Sequence, residues 1–448
     1  MPRPSIDIPA LIDESPVGSF QVGILLLLGL TVILDGFDVQ AIGFIAPAVI
    51  RDWGVERAAL GPVFGAGLLG MVVGSLLLSA LADRVGRRPV LIGATCFFAA
   101  AMLATARVET LPQLELLRFI TGLGLGAIMP NAMALAGEYS PRRLRITLMM
   151  LVSCGFTAGA VLGGILTAAI IPHWGWRGVF VVGGALPLVL AAAMAVGLPE
   201  SMQFLVIRGR GLVRVRGWLR QVDPRRPIAD DAELLVHEQD EGKVPVRELF
   251  RSGRAPFTLL LWSVSFIALV MLYFLSNWLP TLAQGAGATA RDAVLLGTFL
   301  QLGGVAGTLV MGPVIDRIGF LRALVPAFIV AAVAVALLGR PGIPMPLLFG
   351  VAVVAGFTVV GVLPVLNALA ATAYPTTLRS TGIGWSLGIG RIGAIVGPVL
   401  AGVLLALGWT QSRLFLLIGT PAVLAAFLLL ALRHTLPRGG QATATDGA

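Results

Sequence analysis

Charged residues are scarce in this sequence. Of its 448 residues, 12% are Asp, Glu, Lys or Arg, while 57% are hydrophobic. An ordinary soluble domain carries about twice that share of charged residues, so this composition excludes an ordinary soluble domain. Lysine is almost absent, since Lys243 is the single lysine among 32 basic residues. We therefore expect a chain that lies in a membrane.

Cysteine and histidine are also scarce, with two and three residues respectively. Cys96 and Cys154 fall within long apolar runs, and His173, His237 and His434 are far apart in the sequence. This distribution gives no disulfide framework and no cluster of metal ligands. Nor is a nucleophile–base pair or a phosphate-binding loop recognisable. We expect no metal, no cofactor and no enzymatic activity, and the central polar segment is too short for the output domain of a sensor.

Apolar runs long enough to cross a hydrocarbon core of about 30 Å recur along the whole chain. They lie near 20–45, 59–82, 89–107, 112–137, 146–171, 177–198, 256–280, 292–315, 321–339, 343–371, 379–407 and 411–433. The first run is too long, and too charged in its middle, for a cleaved signal peptide. The sequence therefore predicts an all-α polytopic membrane protein with twelve transmembrane helices, numbered here as spans 1 to 12.

The formal net charge of +9 invites a nucleic-acid interpretation, but the arginines sort by side of the membrane. The basic segments carry Arg3; Arg84, Arg87 and Arg88; Arg142, Arg143 and Arg145; the arginines from Arg208 to Arg254; Arg317 and Arg322; Arg379; and Arg433 and Arg438. Basic residues favour the cytoplasmic side, so both termini and the central segment are expected inside. The charge indicates orientation and contact with membrane lipid, and not a nucleic-acid partner.

Two similar halves flank the central segment. The stretch around Asp83 and Arg84 matches that around Asp316 and Arg317, an offset of 233, and Pro130 matches Pro364 at 234. We predict an N-terminal six-helix half over 1–198, a cytoplasmic linker over 199–255 and a C-terminal six-helix half over 256–448. Because six spans is an even number, the halves are parallel repeats, and a binding site is expected between them.

The loop between spans 2 and 3, Ser79 to Pro89, resembles the loop motif of the major facilitator superfamily, and Gly312 to Gly319 resembles its second copy. The resemblance covers essentially the full chain. It implies a cytoplasmic clasp that forms in one transport state and breaks in another. The residues expected to take part in gating are Asp83, Arg84, Arg87, Arg88, Glu138, Arg142, Asp316 and Arg317. In this set Asp83 is expected near a helix N-terminus, and Glu138 in a salt bridge to Arg142 or Arg145.

A finer resemblance is to the aromatic acid:proton symporters. Asp35-Gly36-Phe37-Asp38 in span 1, Arg118 to Gly126 in span 4, Tyr273 to Thr281 in span 7 and Gly388 to Ala394 in span 11 resemble their motifs. The resemblance implies proton-coupled uptake of a monoaromatic carboxylate by a monomer in the bacterial inner membrane. Two alternatives stay open: symport of another organic anion, and efflux of a drug or metabolite.

The intramembrane charges are not duplicated between the halves. At the repeat offset Asp35, Asp38, Arg118 and Arg391 all meet uncharged residues. Carboxylates at bilayer depth cost about 2.5–3.5 kcal/mol each on insertion scales, so an unduplicated set indicates function more than scaffold. We predict that Asp35 and Asp38 couple protons. At least one arginine should bind the substrate carboxylate, with Arg391 ahead and Arg118 more closely tied to the aspartates.

An aromatic substrate also needs apolar walls. Phe37, Tyr273, Phe274 and Trp278 are candidates, and Asn277 could bind a ring hydroxyl. The alternative for each aromatic residue is ordinary packing between helices, which the sequence leaves open.

Overall fold

The computed structural model describes residues 5–226, 228–229, 232–236 and 245–432. The predictions made for Arg3, His237, Arg433, His434 and Arg438 lie outside these ranges. Most of the described chain is helical, as its composition predicts.

The residues that the structure describes form twenty helices, strands and 3₁₀ turns. The first half contains β1 (Ser5–Asp7), α1 (Ile8–Glu14), α2 (Ser19–Trp53), α3 (Leu60–Val85), α4 (Arg87–Thr105), α5 (Leu111–Leu125), α6 (Ile128–Glu138) and α7 (Arg145–Gly197), with a 3₁₀ turn at Arg57–Ala59. The central segment contains α8 (Met202–Ile207), α9 (Leu212–Val222), β2 (Glu233–Leu235) and a second 3₁₀ turn at Val246–Phe250. The second half contains α10 (Ala255–Gly285), α11 (Ala290–Ile318), α12 (Phe320–Leu338), α13 (Met345–Val359), α14 (Leu363–Ala373), α15 (Thr376–Ala406) and α16 (Gln411–Leu432).

The twelve predicted spans are all present in the described residues. Within the described part of the chain, eleven helical segments are long and apolar enough to cross a membrane, and one of them, α7, has 53 residues. At about 1.5 Å per residue, α7 is far longer than a bilayer is thick. It turns at Gly175, where φ is 65° and ψ is −174°, a conformation that favours glycine. Spans 5 and 6 therefore meet in α7, while α5 with α6 and α13 with α14 form spans 4 and 10.

The internal repeat is visible in helix packing. A Cβ atom on Gly159 would overlap the carbonyl oxygen of Ile33, so span 5 lies directly on span 1. A Cβ on Gly393 would overlap the carbonyl oxygen of Phe266 in the same way, which places span 11 on span 7. The offsets are 393 − 159 = 234 and 266 − 33 = 233, the values of the sequence repeat. The same glycine contact thus recurs in both halves.

The structure divides into two compact units that cut across several helices. Unit 1 contains Met1–Asp38, Leu69–Gly159 and Phe180–Asp240, and unit 2 contains Val39–Leu68, Ala160–Val179 and Glu241–Ala448. Within unit 2, Gly61 in α3 lies against Gly402 in α15, and Gly43 in α2 lies against Ser276 in α10. Spans 1 and 2 of the first half therefore each pack one end against second-half helices.

Polar contacts attach the chain's first residues to unit 1. Strand β1 pairs in parallel with β2 of the central segment. The Asp13 carboxylate accepts hydrogen bonds from the Arg142 backbone N–H at 2.6 Å and from Arg145 Nη2 at 3.4 Å. Arg226 Nη1 donates to Glu14 Oε2 at 2.9 Å. The amino-terminal segment and part of the linker are thus held at the basic end of this unit.

Candidate functional site

The Asp-Gly-Phe-Asp segment lies in the middle of α2, where protein encloses the helix. Asp35 is 1% exposed and Asp38 is fully buried. A Cβ on Gly36 would overlap the carbonyl oxygen of Phe156 in α7, so only glycine allows this approach of span 1 to span 5. The close contact shields both carboxylates from lipid and water.

Asp38 forms a bidentate ion pair with Arg118 of α5. Arg118 Nη1 donates to Asp38 Oδ1 at 2.9 Å, and Nη2 donates to Oδ2 at 3.0 Å and to the Asp38 carbonyl oxygen at 3.4 Å. The arginine side chain is 3% exposed. Two parallel charge-assisted bonds fix the guanidinium plane against the carboxylate. The expected tie between Arg118 and the span 1 aspartates is therefore present at Asp38.

Phe37 points toward span 6. Its ring is buried, and a Cβ on Gly183 would come within 2.6 Å of Phe37 Cε1. The ring therefore occupies the space that this glycine leaves free. In the structure Phe37 makes a packing contact, and its place beside a substrate stays a prediction.

The four span 7 candidates lie on two faces of α10, with Tyr273 and Asn277 on one and Phe274 and Trp278 on the other. Tyr273 is half-buried, and the Asn277 Nδ2 atom donates to its carbonyl oxygen at 2.8 Å, a bond within one helix. The buried Trp278 donates from Nε1 to the Pro398 carbonyl oxygen at 2.9 Å. The Phe274 ring packs edge-on against Phe415 of α16, with centroids 5.4 Å apart. Trp278 and Phe274 thus pack against neighbouring helices. Tyr273 is the least buried of the aromatic candidates.

Arg391 is half-buried in α15. On either side of it, Gly390 lies against Leu269 and Gly393 against the Phe266 carbonyl, both in α10. The small residues allow span 11 to approach span 7 closely at the level of this arginine. Arg391 belongs to unit 2, and Arg118 belongs to unit 1.

Glu138 pairs with Arg87, which corrects the expected salt bridge to Arg142 or Arg145. It also accepts a hydrogen bond from the Ser201 hydroxyl. The two expected partners instead contact Asp13, because the loop after α6 turns toward the amino-terminal segment. Glu138 therefore connects spans 3 and 4 to the end of span 6.

The carboxylate at a helix N-terminus is that of Glu200, whereas the sequence suggested Asp83. Glu200 Oε1 accepts from the backbone N–H groups of Arg87 and Arg88 at 2.9 and 3.1 Å, at the start of α4. An anion is favoured at this position by the unpaired N–H groups and the helix dipole. The Tyr139 hydroxyl donates to the Glu200 carbonyl oxygen at 2.7 Å. Burial, and secondarily the Glu200 charge, raise the pKa of Tyr139 well above its usual range, which keeps this donor protonated.

Four of the remaining gating candidates are exposed, and Arg88 is half-buried. Asp83, Arg84, Asp316 and Arg317 are exposed at the ends of α3 and α11. The Asp83 carbonyl oxygen accepts a 3.5 Å bond from Arg208. Arg88 is half-buried and donates from Nη2 to the Ala195 carbonyl oxygen at 2.5 Å. A role for these residues in gating stays a prediction.

Sequence reasoning missed two sets of polar residues. Glu200 could have been found, because it directly follows the apolar run of span 6. The other set lies in unit 2, where Gln40 and Gln301 both donate to the hydroxyl of Ser276 and each of the three residues is 3% exposed. Uncharged polar residues within long apolar runs are the signal that could have identified them.

Comparison with known proteins adds a family. The protein-family model described as Major Facilitator Superfamily matches residues 28–338 and 261–447 of this chain. The 4-hydroxybenzoate transporter PcaK of Pseudomonas putida is 41% identical over 425 residues, which cover 94% of each chain. The gallate transporter of Pseudomonas putida is 39% identical over 430 residues, covering 96% of this chain and 95% of that one.

A solved structure has the same fold. The crystal structure of a D-xylose-proton symporter matches with a TM-score of 0.71 and 17% sequence identity. The match covers 94% of this chain and 98% of that one. At this identity the likeness concerns the fold alone.

Proposed function

Because this chain belongs to the major facilitator superfamily and to its aromatic acid:proton symporter family, we propose that it carries a monoaromatic carboxylate into the cell together with a proton. A benzoate or a hydroxybenzoate is the substrate class that the named relatives favour. The protein is a multi-pass membrane protein, and we place it in a bacterial inner membrane with both termini in the cytoplasm. We propose that the protein functions as a secondary active transporter by alternating access and catalyses no chemical reaction.

The observation that carries the coupling proposal is the buried ion pair of Asp38 and Arg118. A proton that reaches Asp38 neutralises the partner of Arg118, and a buried guanidinium without a counter-charge is costly. The pair then separates or rearranges, so protonation and helix movement are linked. Asp35 lies one helical turn away and is also buried, and it is the second candidate for the proton.

The second element of the proposal is the anchor for the substrate carboxylate. Arg391 is half-buried in the middle of α15 and has no charged counterpart at the repeat offset, so it is our candidate for this anchor. A planar guanidinium binds a carboxylate with two parallel bonds, which lysine does not. We assign the carboxylate of the substrate to Arg391.

The energetics require a coupled cation. Moving one negative charge inward against 100 mV costs about 2.3 kcal/mol. One accompanying proton cancels that charge, and each unit of pH difference across the membrane then contributes about 1.4 kcal/mol. Symport with a proton is thus sufficient to accumulate an aromatic anion.

Proteoliposomes with an imposed pH gradient test the proposal. We expect labelled 4-hydroxybenzoate to accumulate inside when the outside is acidic, with one proton uptake signal per transport event and loss of both on adding an uncoupler. Aliphatic acids of the same charge should compete poorly. Preference for an aliphatic acid would indicate symport of another organic anion, and substrate movement opposite to the proton would indicate efflux.

A further inference from the structure

Three polar side chains meet deep in unit 2. Gln40 Nε2 of α2 donates to Ser276 Oγ of α10 at 3.2 Å, and Gln301 Nε2 of α11 donates to the same oxygen at 3.1 Å. Each of the three residues is 3% exposed. All three lie in helices that are long and apolar enough to span a membrane. We call them the amide–hydroxyl cluster.

Such a cluster costs free energy in an apolar environment. Buried amide and hydroxyl groups must exchange all their bonds with water for bonds within the protein. The buried hydroxyl group of Thr298 meets this need within its own helix, because Oγ1 donates to the Val294 carbonyl oxygen at 2.9 Å. The cluster is different because its bonds run between three separate helices. Helix packing alone does not require these residue types.

The bonds within the cluster leave specific groups available. A serine oxygen has two acceptor sites, and the two glutamine N–H groups occupy both. The Ser276 O–H proton then has no acceptor among the residues that the structure describes. Each glutamine also keeps its Oε1 acceptor, to which no donor is directed from the described part of the chain. The serine O–H, one further N–H on each glutamine amide and the two Oε1 acceptors therefore remain at one buried point.

We propose that the amide–hydroxyl cluster is the subsite that binds ring hydroxyl groups of the transported aromatic acid. The inference rests on the proposed function and assigns its specificity. A phenolic hydroxyl both donates and accepts, so it can donate to a glutamine Oε1 atom and accept from Ser276. An unsubstituted benzoate leaves these buried groups unpaired, and a site built to bind a hydroxyl discriminates strongly against the analogue that lacks it. Asn277, the residue expected for this task, instead donates within its own helix.

The test compares ligands that differ in one group. The protein is reconstituted in lipid nanodiscs, and dissociation constants are measured for benzoate and for 2-, 3- and 4-hydroxybenzoate. In Gln301→Met, Gln40→Met and Ser276→Ala, affinity for the best hydroxylated acid should fall roughly tenfold, while that for benzoate changes less than threefold. Thr298→Val is the matched control, because this buried hydroxyl bonds within its own helix, and it should change neither value.

Several outcomes would overturn the inference. Equal loss of affinity for hydroxylated and plain acids would reduce the cluster to a polar contact between helices. A variant that fails to fold binds neither the hydroxylated acid nor benzoate. The parent protein therefore supplies a second test with the matching methoxybenzoate. Its methoxy group accepts a hydrogen bond but does not donate one. The parent should bind the hydroxylated acid more tightly than the methoxy acid and benzoate, and equal binding of all three would refute the subsite. If the parent binds no aromatic acid at all, the proposed function itself fails.

Discussion

Replacing Asp38 by asparagine tests the ion pair most directly. The substitution keeps the size of the side chain and removes the negative charge that faces Arg118. In the parent protein the carboxylate accepts guanidinium bonds of 2.9 and 3.0 Å, and neither side chain is more than 3% exposed. The amide offers one acceptor oxygen and presents an N–H₂ group to the second guanidinium nitrogen. One charge-assisted bond is lost, and a buried cation keeps no counter-charge at that position.

The expected size of the effect follows from burial. Removing one partner of a buried ion pair costs about 3–5 kcal/mol of stability. An exposed pair contributes about 0–1 kcal/mol. Asp13 and Arg145 form such a pair, with side chains 32% and 39% exposed, and Asp13→Asn is therefore the matched control. A double variant, Asp38→Leu with Arg118→Met, should recover most of the lost stability, because two apolar side chains need no counter-charge.

The assay separates stability from coupling. Unfolding in lipid reports the free energy of unfolding, and a dye inside proteoliposomes reports substrate-dependent proton uptake. We expect Asp38→Asn to be destabilised and uncoupled, and the double variant to be stable but still uncoupled. Uncoupler-sensitive accumulation at the parent level in Asp38→Asn would refute the assignment. A loss of stability no larger than that of Asp13→Asn would refute the buried-pair argument.

Four further predictions concern other residues. Asp35→Asn should abolish proton-driven accumulation, measured as uptake under a pH gradient. Unchanged uptake would exclude Asp35 as a carrier of the coupled proton and leave Asp38 as the candidate. Gly36→Ala should destabilise the protein by about 1–3 kcal/mol, because the added methyl group overlaps a carbonyl oxygen of span 5. Gly29→Ala in the same helix meets nothing within 4 Å and should be neutral in the same unfolding assay. Glu200→Gln weakens the charge at the α4 N-terminus and should slow turnover while KM stays nearly constant, so a large rise in KM would contradict a gating role. Arg391→Lys should weaken substrate binding by about 1–3 kcal/mol and leave an uncharged amide analogue unaffected, whereas equal, tight binding of acid and amide by the parent would rule out an arginine anchor.

Some features of this protein follow from sequence alone because their causes are local. Apolar length determines which segments can span a bilayer, and the scarcity of charge elsewhere makes Asp35, Asp38, Arg118 and Arg391 conspicuous. The repeat offset is likewise a property of the chain. The twelve spans, the superfamily and the tie between Arg118 and span 1 could therefore all be predicted, and they are confirmed.

Other features depend on how each helix is rotated about its axis against its neighbours. Asp35 and Asp38 share a helical face, about 60° apart, and only packing decides that Asp38 meets the guanidinium. Glu138 lies near Arg142 in sequence but pairs with Arg87, because the loops fold across the end of the helices. The amide–hydroxyl cluster joins residues 25 to 236 positions apart. Contacts at such separations result from the summed packing of many side chains, so only the tertiary structure determines them.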